Sequence, residues 1–148
     1  MLTIDASIWV AADAADEEAH DDCVAVLRDA VATGSVVHQP ALSLVEVTAA
    51  LARRTGDGAF ARTVGLALLD TPGLVLHPLD RDLALTACVI ASEAFLRSAD
   101  AVYAATAAST GSTLITLDAE LLRRTIPGIE VMSPTAWLAA LHHDDEAR

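Results

Sequence analysis

The stretch LTIDASIWVA, residues 2–11, decides the fold. LTID (2–5) is a short, continuous apolar run, the pattern of a strand buried on both faces. A helix follows at once through Ala6–Ala12. The same alternation recurs along the chain. Residues 16–34 carry apolar side chains at 23, 24, 26, 27, 30 and 31, a helical spacing closed by Gly34. SVVHQP (35–40) is a second strand, stopped by Pro40. The spacing predicts helices over 41–54 and 58–70, the latter capped by Asp57, then a strand over 74–79. Asp80 caps a helix reaching Phe95, and Ser98 is expected to cap a buried helix ended by Gly111. A fourth strand (113–117), a short helix (119–124), a fifth strand (129–132) and a helix (135–141) complete the pattern. Apolar strands alternating with helices specify an α/β fold, a three-layer α/β/α sandwich around a mostly parallel sheet of about five short strands. Residues 1–142 are read as a single domain and the polar stretch 143–148 as a frayed tail.

Composition narrows the chemistry. The chain has 148 residues, of which 53% are hydrophobic, so a folded core is expected. No apolar run reaches the roughly 18 residues of a membrane span, and the first residues lack the basic region of a secretory signal. Cys23 and Cys88 are far apart and form no CxxC, so a reduced, cytoplasmic protein without a disulfide or zinc framework is expected. All nine basic residues are arginine. A chain with no lysine builds neither a P-loop nor a Schiff base in the usual form. The net charge of −12 disfavours general nucleic-acid binding unless arginines or cations offset the field locally.

Most of the 21 acids lie in polar runs such as DEEAHDD and read as solvated surface. Four stand alone. Asp5 is the only charge in the first twelve residues, Glu46 the only one between Asp29 and Arg53, and Asp100 the only one between Arg97 and Asp118. Asp118 itself closes the apolar run TLITL. Asp5, Asp100 and Asp118 each also suit a helix N-cap or first turn. Glu46 does not, because it lies inside ALSLVEVTAALA, where an unpaired carboxylate is costly. One explanation covers all four. Asp5 and Asp118 follow strands, and parallel strands end on one edge, where ligands bind. Converging carboxylates repel one another, and a hard divalent cation, Mg²⁺ or Mn²⁺, relieves that repulsion. A carboxylate cage around such ions activates water and neutralises phosphate, the route of metal-assisted phosphodiester hydrolysis.

Four stretches, IDASIWVA (4–11), LVEVTAAL (44–51), RSADAVYAATA (97–107) and TLITLDAELLRR (113–124), occur in order at family spacing. With PGIEVMSPTAWLAAL (127–141), they make the chain resemble a PIN domain, specifically the VapC-type toxin ribonucleases of type II toxin–antitoxin pairs. The resemblance implies a Mg²⁺- or Mn²⁺-dependent endoribonuclease. It makes Asp5, Asp100 and Asp118 metal ligands, and Glu46 a fourth acid that holds metal or orients the attacking water. It places Ser7 and Thr116 as supporting hydroxyls and Glu120 as a further acid. It also implies an RNA substrate, a homodimer, and an antitoxin that lies across the active-site groove. Arg53, Arg54, Arg81 and Arg97, and Arg123-Arg124 after Asp118, are candidates to grip RNA phosphates or antitoxin acids.

Two alternatives fit the residues less well. A haloacid-dehalogenase-type phosphatase needs DxDx[TV] and a lysine, and this chain has DAS and no lysine. A catalytically silent PIN-like binding or assembly module keeps the fold but has no need of the four acids. The five histidines show no paired metal spacing and read as surface or strand-end residues. Trp9, Phe60, Phe95 and Tyr103 read as core or dimer packing rather than a base-stacking platform.

Overall fold

A computed structural model describes residues 1–146. Five strands, β1 (Leu2–Ile4), β2 (Val37–Pro40), β3 (Leu74–His77), β4 (Thr113–Ile115) and β5 (Val131–Met132), form one sheet. Their order is β3-β2-β1-β4-β5 and every pairing is parallel. The helices are α1 (Ala6–Ala12), α2 (His20–Ala32), α3 (Leu42–Thr55), α4 (Gly58–Ala67), α5 (Arg81–Ala94), α6 (Ser98–Thr110), α7 (Ala119–Arg123) and α8 (Pro134–Glu146).

Period-2 geometry sorts the strand residues between two cores. Leu2 and Ile4 of β1 join Val37, Ile115, Ile8, Val26 and Trp137 on the face covered by α1, α2 and α8. Thr3, between them, turns to the other face, where its hydroxyl bonds Ser112 at 2.7 Å. The second core gathers Leu114 with α3, α4, α5 and α6. Helix α6 lies on β1, β2 and β4, and its residues 100–107 are all buried. Ala101, Ala104, Ala105 and Ala107 contribute small side chains to that buried stretch. Helix α4 meets α3 closely at Gly65, where an added Cβ would run into the Thr48 side chain. That contact holds in place the helix that carries Glu46.

The expected caps are confirmed at Asp57, which accepts from the Ala59 and Phe60 amides, and at Asp80, which accepts from Leu83. Element ends differ at several places: β3, β4 and β5 are each shorter by two residues than expected, and α4 ends at Ala67. The α6 N-cap is Arg97, whose side chain makes no capping bond, and Ser98 is the first helical residue. Residues 16–19 are turns, so α2 starts at His20 behind the acid-rich loop. Helix α8 runs through Glu146, into the expected tail, because nothing after Leu141 breaks a helix; Ala147 and Arg148 lie outside the described residues. Phe60 and Phe95 are exposed, so neither is core of this chain. Both cysteines are free, and no helix among the described residues is long and apolar enough to cross a membrane.

Candidate carboxylate site

The strand order places a topological switch point between β1 and β4: the chain winds outward through β2 and β3, then returns to the other side of β1. Open parallel sheets bind ligands beyond the carboxyl ends of the strands at such a point. A pocket of about 720 Å³ opens there, and Asp5, Glu46, Asp100 and Asp118 all line it. The four acids arrive on four separate parts of the fold: the β1–α1 junction, α3, α6 and the β4–α7 turn.

Each carboxylate is held differently. Asp5 sits at the N-cap position of α1 but makes no capping bond. Its Oδ2 instead accepts from Ser7 Oγ and from Thr116 Oγ1, each at 2.7 Å, and the residue as a whole is 8% exposed. Two hydroxyls on one oxygen fix the side chain and leave Oδ1 for a ligand. The same hydroxyls tie the site to the β4–α7 turn, since Ser7 Oγ accepts from the Leu117 amide and Thr116 Oγ1 from the Asp118 amide. Asp118 does cap a helix: its Oδ1 accepts from the amides of Glu120 and Leu121 at the start of α7. Its Oδ2 accepts from Arg97 at 2.6 Å. Arg97 also donates through Nε to Asp100 Oδ2 at 2.8 Å, so one guanidinium bridges two acids.

Electrostatics separate the acids. Burial pushes the Glu46 carboxyl above the ordinary carboxylate range; the Tyr103 hydroxyl opposes this, and Asp5 and Asp100 reinforce it. Glu46 Oε2 and the Tyr103 hydroxyl are nonetheless both buried without a hydrogen bond of good geometry. Burial also raises Asp100, against the pull of Arg97. For Asp118 burial works upward too, but the Leu121 amide, Arg97 and the Glu120 amide outweigh it and the net direction is down. Asp100 and then Asp118 hold the Arg97 guanidinium firmly protonated.

The other predicted residues divide. Arg53 and Arg97 line the pocket, whereas Arg81 does not. Arg54 is bound at 2.5 Å to each of Asp16 and Glu17 in the loop before α2. Glu120 pairs with Arg124 at 2.9 Å and does not line the pocket. Two features escaped the sequence: the Arg97 bridge reaching Asp118, and Tyr103 beside Glu46. Tyr103 lies one helical turn after Asp100 on the same helix face, which is the signal that marks it.

The donor set suits a hard divalent cation, because all four groups are carboxylates and the Glu46 Oε2 atom is a buried acceptor without a partner. As placed, no three Asp, Glu, His or Cys side chains among the described residues stand close enough to hold one ion. The Arg97 guanidinium supplies the positive charge between Asp100 and Asp118 instead.

A parallel α/β sandwich with four carboxylates lining one pocket at its switch point defines an acid-site α/β domain. The PIN domain family model matches residues 2–126, and the chain belongs to that family. No curated protein sequence matches it. Solved structures share the fold at low identity. The Mycobacterium tuberculosis toxin VapC20, described as cleaving the sarcin-ricin loop, is 20% identical, with a TM-score of 0.68 over 88% of this chain and 99% of that one. A Klebsiella pneumoniae toxin–antitoxin complex is 19% identical, with a TM-score of 0.69 over 90% and 98%. PAE2754 of Pyrobaculum aerophilum is 23% identical, with a TM-score of 0.66 over 96% and 95%.

Proposed function

We propose that the protein is a divalent-metal-dependent endoribonuclease, the toxin of a VapBC-type toxin–antitoxin pair. One observation carries the reading: four isolated carboxylates from four parts of the fold line one pocket at the sheet's switch point. A binding module has no use for that convergence, which costs stability unless a cation offsets it. Asp5, Asp100, Asp118 and Glu46 would hold Mg²⁺ or Mn²⁺. The bound ion would offset charge building at phosphorus and activate water for attack.

The chain's own residues do the rest. Ser7 and Thr116 hold Asp5 in one orientation. Capping of α7 holds Asp118. Where Glu46 does not hold the ion itself, its buried, partnerless Oε2 suits it to orient the attacking water. Arg53, exposed at the pocket wall, is placed for an RNA phosphate. With a net charge of −12, affinity for RNA must come from such local contacts, which favours a structured target over general binding.

The antitoxin is proposed as a chain that covers this pocket. The homodimer is proposed from exposed apolar side chains on and after α5, Leu85 (55%), Val89 (54%) and Phe95 (75%). RNA cleavage in Mn²⁺ or Mg²⁺, abolished by a chelator and restored by adding the ion back, is the expected result. Undiminished cleavage in excess chelator would refute the metal-dependent reading.

A further inference from the structure

We infer that Arg97 is a resident counter-cation of the carboxylate site, so that loading a divalent ion and releasing this guanidinium are one exchange. The inference rests on the metal-site reading above and deepens it. Arg97 precedes α6 and spans the pocket, donating to Asp100 Oδ2 at 2.8 Å and to Asp118 Oδ2 at 2.6 Å. These acids sit on different elements and come together only in the fold, so the bridge is a tertiary contact rather than a local helix pair. Asp118 Oδ1 is already committed to the α7 amides, which leaves Oδ2, the oxygen Arg97 holds, as the one to present to a metal. The guanidinium and a cation therefore compete for the same lone pairs.

The Arg97 side chain is 63% exposed, so it can leave toward solvent without repacking the core. Asp100 is largely buried and cannot follow it. Exchange is therefore the low-cost movement at this site. It also explains how four acids coexist when no metal is bound: one arginine offsets two of them. Arg53 lines the same pocket with the same charge but forms no ion pair with the acids among the described residues. It is the internal control for a general effect of charge.

The test is Mn²⁺ binding by isothermal titration to the full chain and to Arg97→Gln and Arg53→Gln, with circular dichroism checking the fold. Losing two partly exposed ion pairs should tighten Mn²⁺ binding by roughly three- to tenfold in Arg97→Gln, while Arg53→Gln stays near the parent. Equal or weaker binding in Arg97→Gln overturns the exchange. Equal tightening in both variants also overturns it, because charge alone then accounts for the change. If none of the three proteins binds Mn²⁺, the metal-site reading fails and the exchange fails with it.

Discussion

Asp118 divides its two oxygens between structure and site. Oδ1 caps α7 and Oδ2 meets Arg97, so both the helix-cap and the ligand readings of this residue apply, one to each atom. Asp5 resolves the other way: it occupies a cap position but spends its carboxylate on Ser7 and Thr116. Isolation in an apolar stretch made these acids legible in the sequence, because an unpaired buried charge must have a reason. Arg97 was only half legible. Its spacing to Asp100 is local, but Asp118 is 21 residues away and meets it only through the fold. Tyr103 offered only its place one turn after Asp100, since a buried tyrosine in an apolar helix otherwise looks the same whether it packs or faces a carboxylate. The folded-state pKa of Glu46 is raised, so ionising it is less favourable in the fold than in the unfolded chain, and stability falls as pH rises past the ordinary carboxylate value. Glu46→Gln removes that cost, and we expect about 0.5–2 kcal/mol of added stability, read as a rise of a few °C in Tm without metal, together with loss of RNA cleavage. A fall in Tm would contradict the reading of Glu46 as a strained, functional acid.

Element positions followed from the apolar periodicity, while element ends depended on contacts that periodicity does not report. The α2 start moved to His20, where the His20 ring Nδ1 meets the Ala11 carbonyl at 3.0 Å, a partner set by the packing of α1 on α2. Ser98 lost the expected cap because Arg97 takes that position and sends its side chain across the site. The β2–β3 pair holds a feature the spacing of histidines concealed. His38 and His77 lie 39 residues apart, yet strand pairing brings His38 Nδ1 within 2.9 Å of His77 Nε2. One ring must accept, so both cannot be protonated with the bond intact. Burial, then His77 and the N-terminus, lower the His38 pKa below its ordinary 6.5. The unfolded chain then binds more protons than the folded one as pH falls through 6.5, so stability is kept above that value and lost below it. We expect Tm to fall more steeply between pH 7.5 and 5.5 in the parent than in His38→Gln. Parallel slopes would place the pH dependence elsewhere.

At the scale of the molecule, alternating apolar strands and helices specified a covered parallel sheet, and that much was readable. The strand order was not, because adjacency of β1 and β4 is a contact across more than 100 residues that no local pattern encodes. It is that adjacency which turns two acids at strand ends into neighbours. The exposed apolar side chains on and after α5 predict association: sedimentation at micromolar concentration should give twice the 15.4 kDa chain mass, and a monomer would contradict the dimer. The proposed function depends on the carboxylate site doing chemistry on RNA. Asp5→Asn tests it most directly, because it keeps the shape of the side chain and removes only its charge. Structured RNA incubated in Mn²⁺ should be cleaved by the parent and left intact by a folded Asp5→Asn protein; cleavage by that variant at the parent's rate would contradict the account.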